Sequence, residues 1–152
     1  MDYQRKRVYD SEDQLEQIHC FRKWKTVESC QRYVDDLTSS RWFKNRWGNV
    51  KISVASARKN ARNALAYVEE NKIVLPNWAK NEIAILHEVA HCLMADKSIE
   101  HRRRFCEIYL KLIERQLGKR AKEKLIILYL INKVKYFLVS WMEVSLLLLM
   151  SM

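Results

Sequence analysis

Two glycines (Gly48, Gly118) and one proline (Pro76) are the only strong helix breakers in 152 residues. Gly and Pro are the residues that most disfavour a helix interior, so this chain is free to form long helices. Their scarcity argues against a turn-rich β-sandwich. At this length one domain can bury a substantial core. The 49% of hydrophobic residues, with five Trp and seven Tyr, are enough to fill it. No low-complexity linker or internal repeat divides the chain.

Periodicity places the elements. Ser11, with Gln14 three residues on, predicts a capping box before a helix carrying Leu15, Ile18 and Phe21. A second helix is expected at about Thr26–Thr38, where Val27, Cys30, Val34 and Leu37 keep helical spacing. The aromatic stretch Trp42, Phe43, Trp47 runs into a turn at Gly48. Val50–Val54 alternates like a half-buried strand, and Ala64–Val68 and Ile73–Leu75 are two further short strands. Pro76 closes the sheet region. From about Trp78 to Ala95, Ile83, Leu86, Ala90 and Leu93 form one wide apolar helix face. Ser98 is the expected cap of a helix carrying Phe105, Ile108, Tyr109, Leu112 and Ile113, which ends near Gly118. A last helical region runs from about Arg120 to Tyr136. The expected class is α+β, helix-rich, with a sheet of about three strands over the 78–95 helix.

The chain turns strongly apolar from Leu125, yet Lys133, Lys135 and Glu143 divide that tail. Its longest uncharged run, Val144–Met152, is nine residues, against about 20 for a membrane-spanning helix. We therefore expect a domain over 1–137, a hydrophobic extension over 138–152 and no membrane association. The net charge of +10 suits nucleic acid or acidic partners, but it is spread over many short clusters. No aromatics alternate with the bases as in a single-strand binding platform. Four cysteines (Cys20, Cys30, Cys92, Cys106) lie far apart without a C-x-x-C pair, which argues against a cysteine-based zinc knuckle. Met1–Asp13 is charged and lacks the apolar core of a signal peptide. The expected setting is the reducing cytoplasm, with the thiols free and buried.

The chemistry concentrates at His87-Glu88-Val89-Ala90-His91, an H-E-x-x-H pattern within an expected helix. Residues four apart share a helix face, so both imidazoles can reach one ion, while Glu88 can take the proton of an activated water. Small residues beside them, Ala84 and Ala95, leave room for metal and substrate. A catalytic zinc usually has three protein ligands and an open position. The third has several candidates: Asp96, Glu100, His101, Cys106, Glu107 and the distant His19. His101, four before Phe105 and eight before Tyr109, is expected on the buried face of its helix. Glu100 is expected to turn toward Arg103, Arg104, Glu107 and Lys111. Cys92 is read as a packed thiol. Tyr109 could donate to an oxyanion, although its register suits core packing better.

Several segments together resemble a family of small metallohydrolases from bacteria and their phages. They are Arg7-Val8-Tyr9, Cys30–Asp35 before Ser40–Phe43, Ile73–Ala79 and Leu86–His91, and the resemblance covers roughly Arg5 to Tyr136. The active-site segment, closing with His101-Arg102-Arg103-Arg104-Phe105, is also similar to SprT-like zinc proteases. There a His followed four residues later by an aromatic supplies the third ligand. The resemblance implies a zincin-like fold, with Zn2+ held by His87, His91 and His101, and Glu88 as general base. The expected function is zinc-dependent hydrolysis of a protein or peptide substrate. That substrate would lie along an edge strand contributed by Ala64, Leu65, Ala66 and Tyr67. Two rivals remain: a metallohydrolase associated with nucleic acid, and a non-enzymatic basic binding protein whose motif is incidental.

Overall fold

A computed structural model describes residues 1–136 and Leu149. Within them lie six α-helices and a three-stranded sheet: α1 (Arg5–Ile18), α2 (Val27–Ser39), α3 (Arg41–Trp47), β1 (Ser53–Ser56), β2 (Leu65–Tyr67), β3 (Lys72–Leu75), α4 (Glu82–Cys92), α5 (Arg103–Leu117) and α6 (Lys119–Ile131). The class is α+β, as the sequence predicts. The expected extension over 138–152 lies outside the described residues, apart from Leu149. No helix among the described residues is long and apolar enough to cross a membrane. The chain forms two compact units, one of Met1–Cys20 with Glu100 onward, the other of Phe21–Ile99.

The second unit holds the sheet and α4. Its strand order is β1-β3-β2, with β1 parallel and β2 antiparallel to the central β3. Lys72, Ile73 and Val74 are paired on both sides, Ile73 lying opposite Val54 on one side and Ala66 on the other. Ile73 and Leu75 are buried, helix α2 packs on β1, and α4 packs on β2 and β3. Thr26 caps α2 by accepting from the Ser29 amide, and Ser40 caps α3 by accepting from Phe43. The stretch Trp42–Trp47, read from sequence only as a run into a turn, is thus a short helix. Gly48 stops it with φ 75°, a conformation that costs a residue with Cβ.

The first unit is helical, α6 packing against both α1 and α5. Val8 and Leu15 of α1, Phe105, Tyr109, Leu112 and Ile113 of α5, and Ala121, Leu125 and Tyr129 of α6 are fully buried. Gly118, at φ 94°, ends α5 so sharply that α6 starts at the next residue. Two expected boundaries here are wrong. The Ser11–Gln14 capping box does not start α1, which begins at Arg5; Ser11 is interior and its Oγ donates to the Arg7 carbonyl at 2.8 Å. Ser98 does not cap α5 either. Its amide donates to Asp96 Oδ1 at 3.1 Å in a turn, and α5 starts at Arg103. In both cases the hydroxyl residue matched a cap in type while its backbone was committed elsewhere.

Candidate metal centre

Helix α4 begins later than its apolar periodicity suggests, because Trp78 belongs to a 3-10 turn over Asn77–Ala79. Its start is firmly held. The Asn81 side chain accepts from the Ala84 amide at 2.9 Å, a standard N-cap, and donates to the Trp78 carbonyl at 3.0 Å. Residues 22–24 pair alongside as a short antiparallel segment: Trp24 N–H donates to the Lys80 carbonyl at 2.8 Å and Glu82 N–H to the Arg22 carbonyl at 3.0 Å. The same pairing draws Phe21 out of α1, where sequence had placed it. Arg22 grips the buried Glu82 carboxylate through Nε at 2.9 Å and a terminal nitrogen at 2.6 Å, while its backbone amide takes the other oxygen at 2.9 Å. A carboxylate in the first turn also complements the helix dipole.

All eleven residues of α4 are buried. His87, Glu88 and His91 are 1%, 4% and 4% exposed, so the polar motif lies entirely away from solvent. The helix puts His87 Nε2 and His91 Nε2 3.1 Å apart, with the rings at 65°. Such a pair shares either one proton or one cation. At 3.1 Å the two ring nitrogens are close enough for both to reach one metal ion. The donor pair therefore fits a shared ion.

His101 is also buried, at 3% exposure, but not through helical register: it lies two residues before α5. Its position comes from the N-terminal segment. Asp2 Oδ2 lies 2.6 Å from His101 Nδ1 and accepts from the His101 amide at 3.1 Å; Gln4 Nε2 donates to the His101 carbonyl at 2.7 Å. Burial pushes the Asp2 carboxyl up, but the His101 hydrogen bonds outweigh it and hold the group below its ordinary value. An ionised carboxylate only accepts, so the nitrogen facing it, Nδ1, is the one that carries a proton, and in the neutral ring Nε2 is then the atom able to bind a metal. The ring packs against Tyr9 at 5.3 Å and Phe105 at 4.9 Å between centroids. His87, His91 and His101 are thus three buried imidazoles, each offering one ligand nitrogen, a group that could hold a metal ion.

The other ligand candidates are engaged otherwise. Glu100 pairs with Arg102 and the N-terminal ammonium, and Glu107 pairs with Arg103 and Arg104. Asp96 is exposed in its turn. His19 Nδ1 is 3.4 Å from Lys124 Nζ. Burial pushes the Cys106 and Cys92 thiols up to about 12, and neighbouring Glu88 adds to the effect at Cys92. Cys20, expected to be buried, is exposed. The expected edge strand forms at Leu65–Tyr67, with Ala64 just outside it; Leu65 and Tyr67 are exposed and Ala66 half-buried.

Two acids escaped the sequence reading. Asp2 was hidden because its partner is 99 residues away. Glu12 carried a local signal: with Val8, Ser11 and Leu15 it forms the buried stripe of α1, and an acid in such a stripe is conspicuous once the helix is known to begin at Arg5. Burial raises the Glu12 carboxyl well above its ordinary value, opposed by the His101 charge and a hydrogen bond from Tyr109. That bond, and stacking on Phe105 at 5.8 Å, place Tyr109 in the core. No family model, curated protein or solved structure matches the chain.

Proposed function

We propose that this protein is a zinc-dependent hydrolase, most specifically a zincin-like metallopeptidase, with His87, His91 and His101 as ligands and Glu88 as general base. The observation that carries the reading is the buried H-E-x-x-H turn of α4, whose two Nε2 atoms sit 3.1 Å apart and whose Glu88, next in sequence to His87, is buried too. A bound zinc supplies Lewis acidity and brings the pKa of water toward about 7. Glu88 takes the proton of the attacking water and delivers it to the leaving nitrogen. His101, with Nδ1 fixed by Asp2, contributes Nε2. Burial of the motif keeps bulk water from competing with the carboxylate for that proton.

The substrate reading rests on β2. It is an edge strand with one side paired to β3, and Leu65 and Tyr67 project exposed side chains. An extended peptide can add to such an edge through main-chain hydrogen bonds. The test is zinc stoichiometry with turnover of an unstructured protein, on wild type and Glu88→Gln. One zinc per chain and hydrolysis that disappears in the variant support the proposal. A wild-type protein without zinc or hydrolysis overturns it, and steeply salt-dependent binding to nucleic acid would then favour the rival.

A further inference from the structure

We propose that Asp2 is the positioning residue of the third metal ligand, its carboxylate fixing the His101 ring so that Nε2 is the ligating atom. The inference rests on the zinc reading above and deepens it. Residue 101 lies outside any helix, so no backbone repeat sets its side-chain direction. Three of its polar atoms are instead tied to two residues of the N-terminal segment. Asp2 Oδ2 meets both the amide, at 3.1 Å, and Nδ1, at 2.6 Å, and Gln4 holds the carbonyl at 2.7 Å. One oxygen bound to backbone and ring of the same residue fixes the side-chain torsions between them. Gln4 is itself anchored, donating to the Lys135 carbonyl at 3.1 Å and accepting from the Lys135 amide at 2.7 Å. The Tyr9 and Phe105 rings pack on the imidazole.

A carboxylate on the far nitrogen of a ligating imidazole does two things. It selects the tautomer, and it makes the ligand more basic; loss of such a partner typically weakens metal binding about 10–100-fold. A purely structural tether would leave both unchanged once the fold was intact.

The experiment uses the full chain as wild type, Asp2→Ala, Asp2→Asn, Asp2→Glu and His101→Ala. Zinc affinity is measured by competition with a chromophoric chelator, the ring tautomer of His101 by 15N NMR of the zinc-free protein, and folding by circular dichroism. Asp2→Ala and Asp2→Asn should stay folded and still take up zinc at saturation, about 10–100-fold more weakly. In Asp2→Ala the zinc-free His101 ring should move from the Nδ1–H toward the Nε2–H form. Asp2→Glu should recover part of the affinity, and His101→Ala should bind worst. Wild-type affinity and tautomer in Asp2→Ala, with binding impaired in His101→Ala, would overturn this inference alone. A wild-type protein that takes up no zinc would overturn the hydrolase reading and this inference together. If every Asp2 variant unfolds, Asp2 is a structural residue and the inference fails.

Discussion

The histidines of α4 and the histidine before α5 are buried to a similar degree by opposite means. His87 and His91 are placed by one turn of helix, which brings residues four apart together wherever the helix forms. Their support is spent on the helix start: the Asn81 cap, the Arg22 clamp on Glu82 and the short pairing of 22–24 with 80–82. His101 has no such repeat and depends on side-chain hydrogen bonds from residues 97 and 99 positions away. A ligand set by regular backbone survives the loss of any one neighbour. A ligand set by a few distant hydrogen bonds is exposed to each of them.

The largest expected effect is the same in both regions, because it concerns the ligands themselves. His91→Ala and His101→Ala should each lose zinc and hydrolysis together, since two remaining ligands hold the ion poorly. Metal analysis after dialysis checks this. Retention of one zinc per chain in His101→Ala would break the comparison by removing His101 from the site. Next is Glu88→Gln, which keeps the side chain's size and removes the base. Zinc content should stay at the wild-type level while turnover falls by about 10²-fold or more. Loss of zinc in Glu88→Gln would make Glu88 a structural residue.

The same contrast explains what was legible in the sequence. The α+β class, the three short strands, the buried α4 and its motif all follow from patterns a few residues long. Helical spacing of Ile83, Leu86 and Ala90 is read within such a window, whereas the alternation of Val50–Val54 put the first strand too early: it runs over Ser53–Ser56, and its burial does not alternate. His101 was singled out, but on the expectation that it shares the buried face of α5. It lies before α5, held by hydrogen bonds with Asp2 and Gln4 and packed between Tyr9 and Phe105. Asp2 could not be found from spacing, because nothing within a few residues of it marks the distant partner. Glu12 could have been found, had α1 been started at Arg5 rather than at the misleading Ser11. Ser11 and Ser98 failed as helix starts because residue type identifies a competent cap without revealing which backbone amides it meets.

A smaller effect probes the distant tether. Gln4→Ala removes one donor–acceptor amide that serves both His101 and Lys135, three hydrogen bonds at a half-exposed position. At about 0.5–1.5 kcal/mol each when well shielded, and less here, the cost should be about 1–2 kcal/mol by denaturant unfolding. Unfolding unchanged within error would show that Asp2 alone holds the segment.

The smallest effect sharpens the contrast by striking the other region. Asn81→Ala removes the α4 cap and should cost about 1 kcal/mol, but the Arg22–Glu82 clamp and the 22–24 pairing remain to hold the helix start. The two regions each carry a buried thiol that reports local opening, Cys92 at the end of α4 and Cys106 in the first turn of α5. Both thiols are held protonated, with values near 12, so reaction with a maleimide at neutral pH requires the segment to open. Exposed Cys20 should react first in every variant. Gln4→Ala should accelerate Cys106 more than Cys92, because the lost bonds border α5. Asn81→Ala should leave the Cys106 rate unchanged and raise the Cys92 rate only slightly, since the cap lies at the opposite end of α4 from that thiol. Mass spectrometry of labelled peptides over time gives both rates in one experiment. Equal acceleration of the two thiols by either substitution would mean that the regions open as one cooperative unit, and the distinction between local and distant support would lose its energetic basis.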